Sequence, residues 1–248
     1  MTLAQNTIRY EVAEKIATIT LHRPHVKNAL NNEMHTELFA AFKEADRDPQ
    51  VAVIVLQGSE GAFSAGADLK SVPLENHDDF NYGHSLRDTY NRLILTIAGM
   101  NKPTIAYLNG IAVGAGLSIA LACDFRVAAP EAKLALSFIR IGLVPDAGAS
   151  YFLPRLVGQA KAMELALGGT ISAEEAYRIN LVNQMGTPDD FARQLTEVPI
   201  TAYGMMKRNM KESFESSLPH VLEQEVTAQT VAGKTREHMA AIQQFIKK

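Results

Sequence analysis

Two glycine- and alanine-rich segments and one aspartate are the places where residue type and spacing could do chemistry. The first segment is Gly61-Ala62-Phe63-Ser64-Ala65-Gly66-Ala67-Asp68-Leu69. The second is Asn109-Gly110-Ile111-Ala112-Val113-Gly114-Ala115-Gly116-Leu117. Small side chains let a ligand approach the backbone, and N–H groups at a helix N-terminus favour negative charge. If the two segments converge, their N–H donors could hold a developing oxyanion, as a thioester carbonyl requires on becoming an enolate. The alternative is that the glycines only make tight turns and permit close helix–sheet packing. Gly114-Ala115-Gly116 is not the dinucleotide fingerprint, and the phosphate-binding Gly-x-x-x-x-Gly-Lys-Ser/Thr pattern is absent.

The aspartate is Asp146, in Pro145-Asp146-Ala147-Gly148. Ala147 to Leu156 reads as helical, which would make Asp146 an N-cap. Its neighbours Phe138, Ile141, Leu143 and Val144 are apolar, and burial among them would raise its pKa and make it a better base. A capping hydrogen bond would oppose that. Other reactive types offer less. Ser64 is no nucleophile elbow, because Ala62 stands where Gly-x-Ser-x-Gly needs glycine. Cys123 is the sole cysteine, which excludes an intrachain disulfide, and its apolar run Leu117 to Cys123 reads as a buried structural thiol. Seven histidines are scattered, and His84 lies in a loop too irregular to align. Cys and His show no metal-ligand spacing, so no metal site is expected.

The elements that must position these residues follow from periodicity. Ile8 to Val12 and Ile16 to Leu21 read as two strands around a turn at Ala13–Lys15. Asn31 or Asn32 can cap a helix with apolar positions Met34, Leu38, Ala41, Phe42 and Ala45. Val51 to Leu56 and Thr104 to Leu108 read as buried strands, each leading into a small-residue segment treated as loop. Helices are expected near Thr89 to Ala98 and over Leu117 to Cys123, with a strand at Asp124 to Ala128. This alternation predicts an α/β fold with parallel pairing. After Asp146 the chain turns mainly helical. Ser172 and Glu175 form a capping box, and Pro188, Pro199 and Pro219 divide the last sixty or so residues into short helices. Ser71 to Ser85 is polar and reads as a mobile loop or a frayed helix start, of a length often used for lids.

Composition bounds the function. The chain has 248 residues, 47% hydrophobic and 21% charged, with a formal net charge of -3. A sizeable core can be buried, and no global basic field draws nucleic acid or an anionic membrane. Met1 to Tyr10 lacks the apolar stretch of a signal peptide, and no run approaches the ~20 apolar residues of a membrane span, so a cytoplasmic protein is expected.

Several stretches, in order, resemble the crotonase (enoyl-CoA hydratase/isomerase) superfamily. They are Leu21-His22-Arg23-Pro24 with Asn28-Ala29-Leu30, Phe63 to Leu69, Lys102-Pro103, Asn109-Gly110 through Gly114-Ala115-Gly116 to Cys123-Asp124, Gly142-Leu143-Val144-Pro145, and Pro154-Arg155-Leu156-Val157-Gly158. The resemblance implies a spiral of ββα turns over residues 1–187 and a C-terminal helical trimerisation region over 188–248. It implies a homotrimer or dimer of trimers and an acyl-CoA thioester substrate, with coenzyme A as part of that substrate and no other cofactor. It places the oxyanion donors at the N–H groups of Ala67 and Ala115. Substrate contacts fall at Ala65, Gly66, Asp68, Leu69, Gly114 and Phe138, with Arg23 and Lys70 as phosphate contacts.

The sequence departs from the family hydratases at both water-handling glutamates. Ser118 and Phe138 stand in their places. Ser118 is no general base without an activating partner, and Phe138 transfers no proton. Asp146 appears instead where those hydratases have glycine. A similar Leu-Val-Pro-Asp-x-Gly segment occurs in ring-1,2-epoxyphenylacetyl-CoA isomerases and some Δ3,Δ2-enoyl-CoA isomerases. The expectation is an enoyl-CoA isomerase with Asp146 as acid/base. The rivals are a hydratase with a non-standard base, a dehalogenase or thioester hydrolase, and a non-catalytic acyl-CoA-binding homologue. An RNA-binding homologue is opposed by the acidic balance. Between Val182 and Lys207 the chain is shorter than the family norm, which puts the trimer contact and acyl pocket in doubt.

Overall fold

After an N-terminal hairpin, pairs of short strands alternate with helices, and the two strands of each pair enter different sheets. The computed structural model describes residues 6–71 and 81–246. β1 (Ile8–Ala13) and β2 (Ile16–Leu21) form a hairpin with Ala13 opposite Ile16. Its turn residues Glu14 and Lys15 both lie at positive φ, 49° and 65°, the mirror-image turn that matches strand twist. Then come α1 (Asn32–Arg47), β3 (Val53–Gly58) and β4 (Ala62–Ser64), followed by α2 (Tyr82–Asp88) and α3 (Tyr90–Gly99). β5 (Thr104–Leu108), β6 (Ile111–Val113) and α4 (Ala115–Ala122) make the next turn, and β7 (Phe125–Ala128) and β8 (Lys133–Ala135) the one after. The remainder is α5 (Ala149–Val157), α6 (Gln159–Ala166), β9 (Thr170–Ser172), α7 (Ala173–Arg178), β10 (Gln184–Met185), α8 (Asp189–Leu195), α9 (Ile200–Glu212), α10 (Leu218–Ala232) and α11 (Arg236–Ile246).

The larger sheet runs β1-β2-β3-β5-β7-β10, parallel from β2 onward; the smaller runs β4-β6-β8-β9, parallel through β8. From β3 onward each turn thus lays one strand on each sheet, which is the expected ββα spiral. The short strands β4, β6 and β8 lie in or after segments that read as loop. Three residues are too few for a period-two pattern to register.

The helix caps follow the sequence. The Asn31 side chain accepts from the Met34 N–H at 2.9 Å, and Ser172 accepts from the Glu175 N–H at 3.2 Å. Met34, Leu38, Ala41, Phe42 and Ala45 are all buried on one face of α1. Every residue of α4 is buried, as its apolar composition on all faces requires. Cys123 is buried too, and burial pushes its thiol up to about 12, leaving it unreactive at neutral pH. The polar stretch Ser71 to Ser85 is described from residue 81 on, where Asn81 caps α2 through the His84 N–H. Residues 72–80 lie outside the described residues. No helix among the described residues is long and apolar enough to cross a membrane.

A buried cluster ties the C-terminal helices to this frame. Asp124 accepts from the N–H and hydroxyl of Thr104 at 3.1 and 3.0 Å. It pairs at 2.8 Å with Lys207 of α9, both side chains being buried. Lys211 sits 3.8 Å from the same carboxylate and donates to the Ala98 carbonyl. Removing one member of a buried pair leaves the other charge short of compensation. We expect Lys207→Met to lower unfolding free energy by about 2–4 kcal/mol, read from the urea midpoint. An unchanged midpoint would show that Lys211 alone suffices.

Candidate functional site

Parallel pairing of β4 with β6, Ala62 beside Ile111 and Ser64 beside Ala112, brings the two small-residue segments together. The chain leaves β4 through Ala65, Gly66 and Ala67, and leaves β6 through Gly114 into α4. A Cβ on Gly66 would stand 2.8 Å from the Val113 carbonyl oxygen and 3.6 Å from the Ala115 nitrogen, and Gly66 has φ +93°. A Cβ on Gly116 would meet the Ser64 Cβ at 2.6 Å. Both approaches demand glycine.

A third segment fixes the first. The Leu30 N–H donates to the Gly66 carbonyl at 2.8 Å and the Asp68 N–H to the Leu30 carbonyl at 2.9 Å, a single parallel bridge of Leu30 with Ala67. Asn28, wholly buried, donates through Nδ2 to the carbonyls of Ser59 and Ala62. The Ser64 hydroxyl donates to the Asn28 carbonyl and accepts from the Gly66 N–H. The bridge uses the Gly66 carbonyl and the Asp68 N–H, on either side of Ala67, but not the Ala67 N–H itself. Ala115 opens α4, where an N–H has no intrahelical partner. Among the described residues, neither the Ala67 nor the Ala115 N–H has an acceptor.

These groups border a cavity of about 260 Å³. Of the residues expected from the sequence, Ala65, Gly66, Ala67, Asp68, Leu69, Gly114, Ala115, Phe138 and Asp146 all line it. Arg23 and Lys70 do not. The Arg23 guanidinium instead donates to the Ala29 carbonyl at 2.7 Å and to the Asp68 carboxylate at 2.8 Å. That pair is shielded from solvent and braces the bridge strand. Ser118 is also absent from the lining: it is buried, and its hydroxyl donates to the Gly114 carbonyl at 3.2 Å.

Asp146 is not an N-cap. Ala147 and Gly148 both take positive φ, 48° and 80°, and α5 begins two residues later than the sequence suggests. Its cap residue is Gly148, without a side-chain capping bond. The carboxylate is half-buried, and its Oδ1 is a buried atom with no hydrogen-bond partner among the described residues. Burial raises its pKa from 3.8 to about 6. Of the apolar neighbours expected to do this, Phe138, Ile141 and Leu143 share its cavity, while Val144 is 74% exposed and turns away.

Among the lining residues that escaped the sequence reading are His35 and Tyr90. Both are buried and stack edge to face, ring centroids 4.0 Å apart. The available signal was position: His35 lies three residues before Leu38 and seven before Phe42, on the apolar stripe of α1. Burial lowers its pKa to about 4.

The comparisons fit this geometry. A family model described as enoyl-CoA hydratase/isomerase matches residues 11–248. The chain belongs to this family, the crotonase superfamily. It is 38% identical over 254 residues to a protein of Rhodobacter capsulatus named "Probable enoyl-CoA hydratase", covering 99% of this chain and 97% of that one. It is 33% identical over 246 residues to the 1,2-epoxyphenylacetyl-CoA isomerase of Escherichia coli, covering 96% and 94%. The crystal structure of an enoyl-CoA hydratase/isomerase from Cupriavidus metallidurans superposes with a TM-score of 0.90 at 28% identity, covering 99% of this chain and 95% of that one. The crotonase fold and membership of an acyl-CoA enzyme family are thereby established for this enzyme.

Two stability measurements test the geometry. Gly66→Ala should cost about 1–3 kcal/mol. It should cost more than Gly61→Ala, since Gly61 has φ +72° but nothing within 4 Å of a Cβ. Equal urea shifts would remove the close-approach argument. For Asp146, the folded protein holds the proton more tightly than the unfolded chain. Its contribution to stability is therefore full below pH 3.8 and is lost as pH rises through about 6. Asp146→Asn should exceed wild type by about 1–2 kcal/mol at pH 7.5, allowing for solvent screening, with the gap closing towards pH 4. A pH-independent difference in thermal unfolding would contradict the burial argument.

Proposed function

We propose that this enzyme is an enoyl-CoA isomerase, shifting a double bond or rearranging a ring through a thioester enolate, with Asp146 as acid and base. The observation that carries this reading is Asp146 itself: an uncapped carboxylate with a raised pKa, in one cavity with two unpartnered N–H groups. The thioester oxygen is held by the N–H groups of Ala67 and Ala115 as it gains charge. With a 3-enoyl thioester, the Asp146 carboxylate removes a proton from C2, and the electron pair moves onto the carbonyl oxygen as a dienolate. Return of that proton to C4 yields the 2-enoyl product with no atom gained or lost. A pKa near neutrality suits both halves of the transfer. The other lining carboxylate, Asp68, is paired with Arg23.

Coenzyme A enters as part of the substrate, with its adenine against the backbone of Ala65 to Leu69. The proposed proton transfer itself calls for no metal. The exposed apolar residues Met210, Leu218, Leu222 and Val226 of α9 and α10, with Phe214 in the connection between them, suit burial between subunits, in a homotrimer or pair of trimers. A second reading, hydration by a non-standard base, draws support from the name of the Rhodobacter relative.

The two readings separate by mass. In deuterated water, isomerisation of a 3-enoyl-CoA leaves the mass unchanged apart from exchange, whereas hydration of a 2-enoyl-CoA adds a water. Asp146→Asn should lower isomerisation by about 10²–10⁴-fold, and wild-type kcat/KM should rise as pH climbs through about 6. Full isomerase activity in Asp146→Asn would sink the assignment, and hydration insensitive to that change would favour the second reading.

A further inference from the structure

The cavity that holds Asp146 is closed on one side by a wall one side chain thick. His35 of α1 and Tyr90 of α3 line that cavity, and their rings stack edge to face with centroids 4.0 Å apart. His35 also lines a second, smaller recess of about 110 Å³, with Thr36, Phe39, Asp88, Thr89 and Arg92. Among the described residues it alone borders both spaces. Thr36, Asp88 and Arg92 are exposed, so the recess lies on the solvent side of the wall.

Packing alone holds this wall in place. Among the described residues the His35 ring makes no hydrogen bond. Burial lowers its pKa to about 4, so the ring is uncharged at pH 7. An alkyl chain can therefore press against it without stripping water from an ion. His35 and Tyr90 are 5% and 7% exposed, and a group so closely packed yields little. A methylene forced into such packing weakens binding by about tenfold or more.

The cavity of about 260 Å³ has room for roughly eight or nine groups the size of a water or a methylene. A thioester held by the N–H groups of Ala67 and Ala115 takes part of that space. We propose that His35 is a specificity-determining residue that ends the acyl site and restricts the enzyme to acyl-CoA thioesters with short or medium chains, up to about eight carbons. This rests on the reading of the cavity as the acyl site. It does not rest on Asp146 moving a proton.

The test uses saturated straight-chain acyl-CoA esters of four to twelve carbons, which cannot isomerise. Their binding is measured by calorimetry on wild type, His35→Ala, His35→Phe, Leu143→Ala and Asp146→Asn. On wild type each added methylene should tighten binding about fourfold up to the wall, and the next two-carbon step should weaken it about tenfold or more. His35→Ala should remove that break, so that the ten- and twelve-carbon esters bind at least as tightly as the eight-carbon ester. The short esters should stay within about threefold of wild type, since no hydrogen bond is lost. His35→Phe retains a ring and should keep the break, which shows that space rather than the imidazole decides. Leu143 lines the cavity but not the recess, so Leu143→Ala should move the break by one two-carbon step at most. Asp146→Asn should leave it in place, even if the shuttle itself proves wrong. The proposal is overturned if affinity for wild type climbs through twelve carbons without a break. It is equally overturned if His35→Ala leaves the break where it was, or if His35→Phe or Leu143→Ala removes it as completely as His35→Ala does. Failure of every ester to bind would overturn it together with the acyl-CoA reading of the cavity.

Discussion

Pairing of β4 with β6 is the interaction on which the site depends. It puts two segments side by side at a distance set by backbone atoms alone, with the Val113 carbonyl against the Gly66 Cα. A side chain at Gly66 would push the segments apart and separate the N–H groups of Ala67 and Ala115. The third segment makes the approach rigid. Leu30 bridges across Ala67 and leaves that residue's own N–H out of the ladder. Asn28 and Ser64 meanwhile satisfy the carbonyls and N–H groups that so tight a turn would otherwise orphan. Two donors are thus left unpaired because their neighbours are paired. Such preorganisation lets a donor act on developing charge without rearranging first.

The acid is placed by a different device. Two consecutive residues with positive φ, Ala147 and Gly148, delay the start of α5 and leave the Asp146 side chain off the helix terminus. A carboxylate that capped the helix would accept N–H groups and sit low in pKa. Displaced by two residues, it keeps an unpartnered oxygen and rises to about 6. The left-handed alanine is a strained position for a residue with a side chain, and it lies next to the group whose protonation it sets. Local strain and a buried, unsatisfied acid both cost stability, which the extensive core and the Asp124–Lys207 pairing offset.

Much of this was legible in the sequence, for identifiable reasons. The long strands and α1 declare themselves by periodicity and caps, and the two backbone segments by a density of small residues that tight turns and close packing could also explain. Strands of three residues leave no such trace, so the convergence of the segments was inferred from what it could do rather than from β4 and β6. Arg23 reads as a surface phosphate contact until its partner is known, because nothing local to Arg23 announces Asp68 across 45 residues. His35 was hidden among seven scattered histidines, although it falls on the apolar stripe of α1, where the core surface is also the wall of a cavity. Asp146 was the harder case. Its sequence fits a cap and a base equally, and only the φ angles of the next two residues decide between them.

The same wall bears on which reaction the site favours. Adding water to a double bond requires a group that orients the water and removes its proton while the enolate forms. At the two places where such groups were sought, Ser118 has turned its hydroxyl back onto its own helix, and Phe138 lies with its ring 3.9 Å from where a Gly114 Cβ would be. One is occupied and the other is apolar. A proton shuttle asks for less: one carboxylate near two carbons of a bound enolate, with little water to intercept the anion. The apolar residues Phe138, Ile141 and Leu143 around Asp146 do both things at once. They raise the affinity of the carboxylate for a proton and, on the proposed reading, would limit the water that competes for the enolate. On the proposed isomerase reading, the feature that tunes the acid would also disfavour hydration, and the two effects are expected to stand or fall together.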